Sequence, residues 1–228
     1  MKKVAIFDID GTIFRSSLLI ELVESLVDED VFPKTTRSIY KKERINWLNR
    51  KGSYEQYITA VITAFLKNIK GVPYKEFKRV VKIVISNQKD MVYQYTRDLV
   101  KELKSKKYYL LAISQSPKGI LDEFCKQLGF DKIYGRFYEI GNTECFTGKV
   151  ISENLIADKA NILRRAIEKE QLTLKHSIAV GDTEGDIEML KMVDNPICFN
   201  PNSALLKVAQ RNGWKIIVER KDVVYNIS

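Results

Sequence analysis

The sequence predicts an α/β fold: a parallel-sheet core with helices on both faces and a small helical cap domain inserted near its start. The chain opens on a short apolar run, Val4 to Phe7, that ends at a turn carrying Asp8, Asp10 and Gly11. From Lys89 onward, short apolar runs alternate with helical patterns, the pattern of strands joined by crossover helices. Between these regions the apolar residues recur at helical spacing, and no period-two alternation interrupts them.

Each element follows in order. Val4–Phe7 reads as a buried strand. Leu18, Leu19, Leu22, Val23, Leu26 and Val27 then fall on one helical face, with Ser16 or Ser17 available as N-cap. From Thr35 to Ser86, Lys51-Gly52-Ser53 and Gly71-Val72-Pro73 separate further helices, and Ser53 followed by Gln56 fits a capping box. The core is therefore assigned to 1–14 and 89–228, and the cap to 15–88. A helix is expected from Lys89 through Ser105, then a strand over Tyr108–Ile113 that ends at Ser114. Gly129 suits the C-cap of the next helix. Two strands around Phe137–Ile140 and Phe146–Val150 flank Gly141-Asn142, and a helix runs from about Asp158 to Glu170. Strands Ser177–Val180, Pro196–Phe199 and Lys215–Val218 complete a Rossmann-like sheet. In such sheets the ligand site lies beyond the carboxyl ends of the strands, which places Asp8, Asp10, Ser114, Asp182 and Asp186 on one rim.

Composition narrows the function classes. With 228 residues, 45% hydrophobic and 29% charged, the chain has the make-up of a globular protein. Its apolar runs are too short to span a bilayer, and the run after Met1-Lys2-Lys3 stops at Asp8, unlike a signal peptide. The widely spaced Cys125, Cys145 and Cys198 form no Cys-x-x-Cys pair, so packing thiols in a cytoplasmic protein are expected. The net charge of +9 admits an anionic partner. Its lysines, however, are scattered over helix faces, with no Arg-rich stripe or recognition helix, so no nucleic acid is expected. His176 is the only histidine and precedes a strand far from the acidic residues, which excludes a serine–histidine triad. Trp47 and Trp214 read as packing residues.

Asp8 and Asp10 stand at i and i+2 directly after a strand, so their side chains point the same way. Like charges that close require a bound cation, a shared proton, or both. Gly181-Asp182 and Asp186 bring further carboxylates after a later strand. In order, the chain shows Asp-x-Asp-Gly-Thr at Asp8–Thr12, a strand-ending Ser114, Lys159 at the head of a helix, and Gly-Asp-x-x-x-Asp at Gly181–Asp186. These four motifs, with a helical insert between the first and second, resemble the haloacid dehalogenase-like phosphatase superfamily, in particular its phosphoserine phosphatase-like branch.

The resemblance implies a phosphoric monoester hydrolase that acts on a small phosphorylated substrate. Asp8 would be the nucleophile, forming an aspartyl-phosphate, and Asp10 the general acid and base. Ser114 and Lys159 would bind phosphate. Mg²⁺ would be held by Asp8, the Asp10 main-chain carbonyl and Asp182, with Asp186 in support. A phosphotransferase using the same intermediate is the enzymatic alternative, and a non-catalytic anion- or nucleic-acid-binding protein the alternative of another class. The chain departs from the branch at two positions. Ser17 stands where phosphoserine phosphatases carry a cap glutamate for the substrate amine, with Glu21 one turn on, and Gly185 stands where they usually have Asn. Specificity is therefore expected to lie in the cap, where Arg44, Arg50, Tyr54 and Tyr57 are candidates.

Overall fold

The computed structural model describes residues 1–151 and 158–227. Strand β1 (Lys2–Phe7) is followed by α1 (Leu18–Asp28), α2 (Arg37–Leu48), α3 (Tyr54–Ile69), α4 (Tyr74–Gln88) and α5 (Gln94–Ser105). Next come β2 (Tyr109–Pro117), α6 (Lys118–Leu128), β3 (Lys132–Ile140) and β4 (Phe146–Ile151). The rest comprises α7 (Lys159–Glu170), β5 (Leu172–Gly181), α8 (Ile187–Leu190), β6 (Asn195–Phe199), α9 (Ser203–Asn212), β7 (Lys215–Arg220) and β8 (Val223–Asn226).

The eight strands form one sheet in the order β4-β3-β2-β1-β5-β6-β7-β8. The pairings from β3 to β7 are parallel, and β4 and β8 close the two edges antiparallel. The fold is α/β. The order reverses at β1, with β2 on one side and β5 on the other, which opens the crevice that ligands use in such sheets. Register does the rest: Phe7 lies opposite both Ala112 of β2 and Val180 of β5. Asp8, Ser114 and Asp182 each follow within two residues of these partners, so the first, second and fourth motifs meet at one rim.

The sheet is buried on both faces. Ala5, Phe7, Leu110, Ala112 and Val180 point into one apolar cluster, and Val4, Ile6, Leu111, Ile113 and Ala179 into the other, the two-sided burial that explains continuous apolar strands. Helices α1, α3 and α4 contribute Leu22, Leu26, Phe65 and Val80 to the first cluster. The α3–α4 turn is also tied to the β3–β4 hairpin: Gly71 N–H donates to the Phe146 carbonyl at 2.8 Å, and Phe146 N–H to the Val72 carbonyl at 3.0 Å. Phe77 meets Phe146 edge-on with centroids 5.0 Å apart.

The expected capping box is present, with Ser53 and Gln56 each holding the other's backbone N–H. Gly129 ends α6 in the left-handed region, at φ 76°. Strands β3 and β5 begin earlier than expected, at Lys132 and Leu172, and β8 is an additional strand; two further differences lie near the site. The helix expected from Lys89 begins at Gln94, because residues 91–93 fold back on the first turn: Arg15 N–H donates to the Met91 carbonyl and Tyr93 N–H to the Ile13 carbonyl, both at 2.9 Å. Ser17 occupies the N-cap of α1 without a side-chain capping bond. A carboxylate of the site takes that part, as follows.

Candidate active site

The turn after β1 is fixed by its own backbone. Thr12, Ile13 and Phe14 all direct their N–H groups at the Ile9 carbonyl, and Gly11 N–H donates to the Phe14 carbonyl at 2.9 Å. Buried Phe7 and Phe14 anchor the turn on either side, meeting Phe130 and Phe124 edge-on at 5.8 and 5.4 Å. Gly11 has φ +81°, and a Cβ there would lie 2.2 Å from Asp182 Oδ2. The glycine is required twice over, for its backbone conformation and for the close approach of the second acidic loop.

Asp8 is 5% exposed. Lys159 Nζ reaches it from the first turn of α7, donating to Asp8 Oδ1 at 2.5 Å and to Asp186 Oδ1 at 2.6 Å. Asp158 caps that helix by accepting from Ala160 N–H at 2.8 Å, which sets the direction from which Lys159 enters. The other Asp186 oxygen accepts from Asp182 N–H and Thr183 N–H, both at 3.0 Å. This folds the Asp182–Asp186 turn around its own carboxylate, leaving no room for a side chain at Gly181, where a Cβ would stand 2.4 Å from Asp186 Cγ.

One oxygen from each of Asp8, Asp182 and Asp186 lies within 4.8 Å of the others. The Asp10 side chain is engaged elsewhere: Oδ1 accepts from Leu18 N–H at 2.6 Å, capping α1, and Oδ2 accepts from Ser114 Oγ at 2.5 Å. Ser114 Oγ in turn accepts from Ser116 N–H at 2.9 Å. The structure thus brings together the six residues that the four motifs supply: Asp8, Asp10, Ser114, Lys159, Asp182 and Asp186.

Electrostatics follow from burial. Loss of solvent raises the Asp8 carboxyl to about 7; Asp186 and Asp10 push the same way, and Lys159 opposes them. Burial, then repulsion from Asp8 and Asp186, holds Asp182 well above the usual carboxylate range. Burial alone would lower the Lys159 ammonium, but Asp186 and Asp8 outweigh it and raise it. The centre is thus a set of carboxylates facing one cation, with an excess of negative charge that a hard divalent cation would balance.

Sequence reading did not assign roles to three residues that complete the site. Thr12 Oγ1 donates to Asp182 Oδ1 at 3.2 Å, joining the first and fourth motifs; its place within the first motif was the available signal. Thr96, on α5, donates to the Thr12 carbonyl at 2.8 Å, and nothing in the local sequence marks it. Asn202 N–H donates to the Asp182 carbonyl at 2.8 Å from the loop after β6. From the helical segment, the Tyr54 phenol lies in the field of Asp10 and Asp182; burial first, then those charges, raise its pKa.

Residues 5–191 match the profile of the haloacid dehalogenase-like hydrolases. The chain belongs to the haloacid dehalogenase-like hydrolase family. It is 22% identical over 218 residues to the inhibition of morphological differentiation protein of Streptomyces azureus, covering 95% of this chain and 78% of that one. A phosphoserine phosphatase of Methanocaldococcus jannaschii is 22% identical over 225 residues, covering 97% of this chain and 94% of that one. A solved phosphoserine phosphatase, described as a phospho-aspartyl intermediate analogue, superposes with a TM-score of 0.63 at 23% identity over 97% of this chain and 95% of that one. At that identity the structure supports the shared fold. Membership in this hydrolase family matches the resemblance read from the four motifs.

Proposed function

We propose that this protein is a Mg²⁺-dependent phosphatase of small phosphomonoesters that works through a covalent phosphoryl group on Asp8. The observation that carries the reading is the Asp8 carboxylate itself. It sits 5% exposed at the end of the central strand, held on one oxygen by Lys159 and grouped with Asp182 and Asp186. Family relatives named phosphoserine phosphatase add support.

Asp8 attacks phosphorus as the bond to the leaving oxygen breaks, and Asp10 passes a proton to that oxygen. Water then attacks the phosphoryl group, Asp10 takes the water's proton, and phosphate and the Asp8 carboxylate are released. The Asp10 bond to Leu18 N–H fixes its orientation in this scheme and leaves the other oxygen for proton transfer. Ser114, freed toward substrate, and Lys159 hold the phosphoryl oxygens, and the Lys159 charge offsets negative charge gathering there. The donor set fits a hard cation: three buried or half-buried carboxylates share one space, and Asp8, the Asp10 carbonyl and Asp182 would be ligands, with Asp186 in support. Bound Mg²⁺ would supply charge neutralisation between the anionic nucleophile and the anionic ester. Residues 15–88 serve as a cap that shields the reaction from water. Two assays test the reading together: p-nitrophenyl phosphate hydrolysis in Mg²⁺, lost with chelator and in Asp8→Asn. Full activity in either condition contradicts it.

A further inference from the structure

We propose that Thr96 is a positioning residue for the cation site: from α5 it holds Thr12, Thr12 in turn orients Asp182, and Glu219 on β7 fixes the helix end that carries Thr96. The inference deepens the phosphatase reading above and rests on it. Thr96 Oγ1 donates to the Thr12 carbonyl at 2.8 Å, and Thr12 Oγ1 donates to Asp182 Oδ1 at 3.2 Å. Thr96 and Thr12 are both 0% exposed, so bulk water cannot take the place of the Thr96 hydroxyl. Among the described residues, Thr96 is the one donor to the Thr12 carbonyl, and Thr12 is the one side chain that donates to the Asp182 carboxylate.

A threonine on a helix commonly turns its hydroxyl to the carbonyl four residues back. Thr96, in the first turn of α5, directs it instead to a turn 84 residues away. A buried carbonyl without a donor is costly, so loss of this hydroxyl leaves the Thr12–Ile13 peptide to turn toward another partner, and that rotation carries the Thr12 side chain off Asp182. The reach of Thr96 depends on where α5 begins. Tyr93, at the N-cap, makes no side-chain capping bond. The Glu219 carboxylate takes that part from across the fold, accepting from Gln94 N–H at 3.0 Å and Tyr95 N–H at 2.8 Å, at the helix end where the dipole favours an anion. Glu219 is itself fixed through its N–H, which donates to Asn200 Oδ1 at 2.9 Å, and Tyr95 stacks on Phe199 with centroids 5.8 Å apart. The same loop after β6 sends Asn202 N–H to the Asp182 carbonyl at 2.8 Å. Asp182 is thus held by its backbone from one side and by its carboxylate, through Thr12 and Thr96, from the other.

Mg²⁺ binding in the absence of substrate tests this. Dissociation constants are measured by calorimetry on the metal-free wild-type protein and on Thr96→Val, Thr96→Ser and Glu219→Ala, each checked for folding by circular dichroism. Thr96→Val keeps the shape and removes the hydroxyl; it should weaken Mg²⁺ roughly tenfold, the low end of what groups that orient a metal ligand contribute. Thr96→Ser keeps the hydroxyl and should bind Mg²⁺ as the wild-type protein does. A packing role for Thr96 predicts the opposite order, because serine loses the methyl group that valine retains. Glu219→Ala should weaken Mg²⁺ as well, although it touches none of the acidic residues. Unchanged affinity in Thr96→Val or Glu219→Ala, a serine variant as weak as the valine variant, or no Mg²⁺ binding by the wild-type protein overturns the proposal; if Thr96→Val does not fold, Glu219→Ala decides. Wild-type hydrolysis of p-nitrophenyl phosphate is scored separately: its absence counts against the phosphatase reading and leaves the metal affinities to be judged by themselves.

Discussion

At the scale of residues, the site stores unfavourable charge. An Asp8 carboxyl at about 7, against an ordinary 3.8, means that the folded protein holds a proton which the unfolded chain has released. Between those two values the folded state binds more protons, so stability must fall as pH rises through that window. The metal-free protein should therefore melt at a lower temperature at pH 8 than at pH 5, and Mg²⁺ should raise the melting temperature more at the higher pH, where the carboxylates are charged. A chelated protein whose melting temperature is flat or rises across this window would speak against the electrostatic account. Steric demands are equally local. Gly181→Ala drives a Cβ to within 2.5 Å of the Asp186 Cβ. Overpacking of this kind typically costs about 1–3 kcal/mol, and here it also displaces a carboxylate from Lys159. Urea unfolding and phosphatase assays on that variant should show both losses.

At the scale of elements, each motif residue reaches the centre because a strand or helix end puts it there. Lys159 enters from α7, whose N-terminus is capped by Asp158. Asp158→Ala should cost about 1 kcal/mol, as lost caps generally do, and should lower turnover by loosening Lys159; unchanged stability and rate would deny the cap its part. Elements marked by periodicity and end signals were legible in the sequence: β1, the helices of 15–88, the Ser53 capping box and the Gly129 stop. So was the site, because its acids and lysine sit within recognisable spacings. Contacts that cross the fold were not legible. The Glu219 carboxylate, on β7, accepts from the N–H groups of Gln94 and Tyr95 at 3.0 and 2.8 Å and so helps to set where α5 begins. Asp10 likewise caps α1 with a side chain eight residues away from Leu18. Short β8, with all four residues exposed, carries too little burial to leave an amphipathic signal.

At the scale of the whole molecule, strand order and register assemble the site, and the helical segment is braced at its far end. Phe146, 5% exposed on β4, packs against Tyr74 and Phe77 of α4, and its backbone pairs with the α3–α4 turn. Any motion of 15–88 over the site must bend about both this brace and the turn at Phe14. Phe146→Ala should remove about 3–5 kcal/mol, the usual scale for a buried phenylalanine, and hydrogen exchange should rise first in α3 and α4; a loss spread evenly over the sheet would contradict the brace. The central claim, however, concerns one bond. Protein quenched in acid during turnover of a phosphomonoester with Mg²⁺, then digested and mapped by mass spectrometry, should carry a single phosphoryl group on Asp8. Turnover with no phosphoryl group on the protein, or with the group on another residue, would contradict the account.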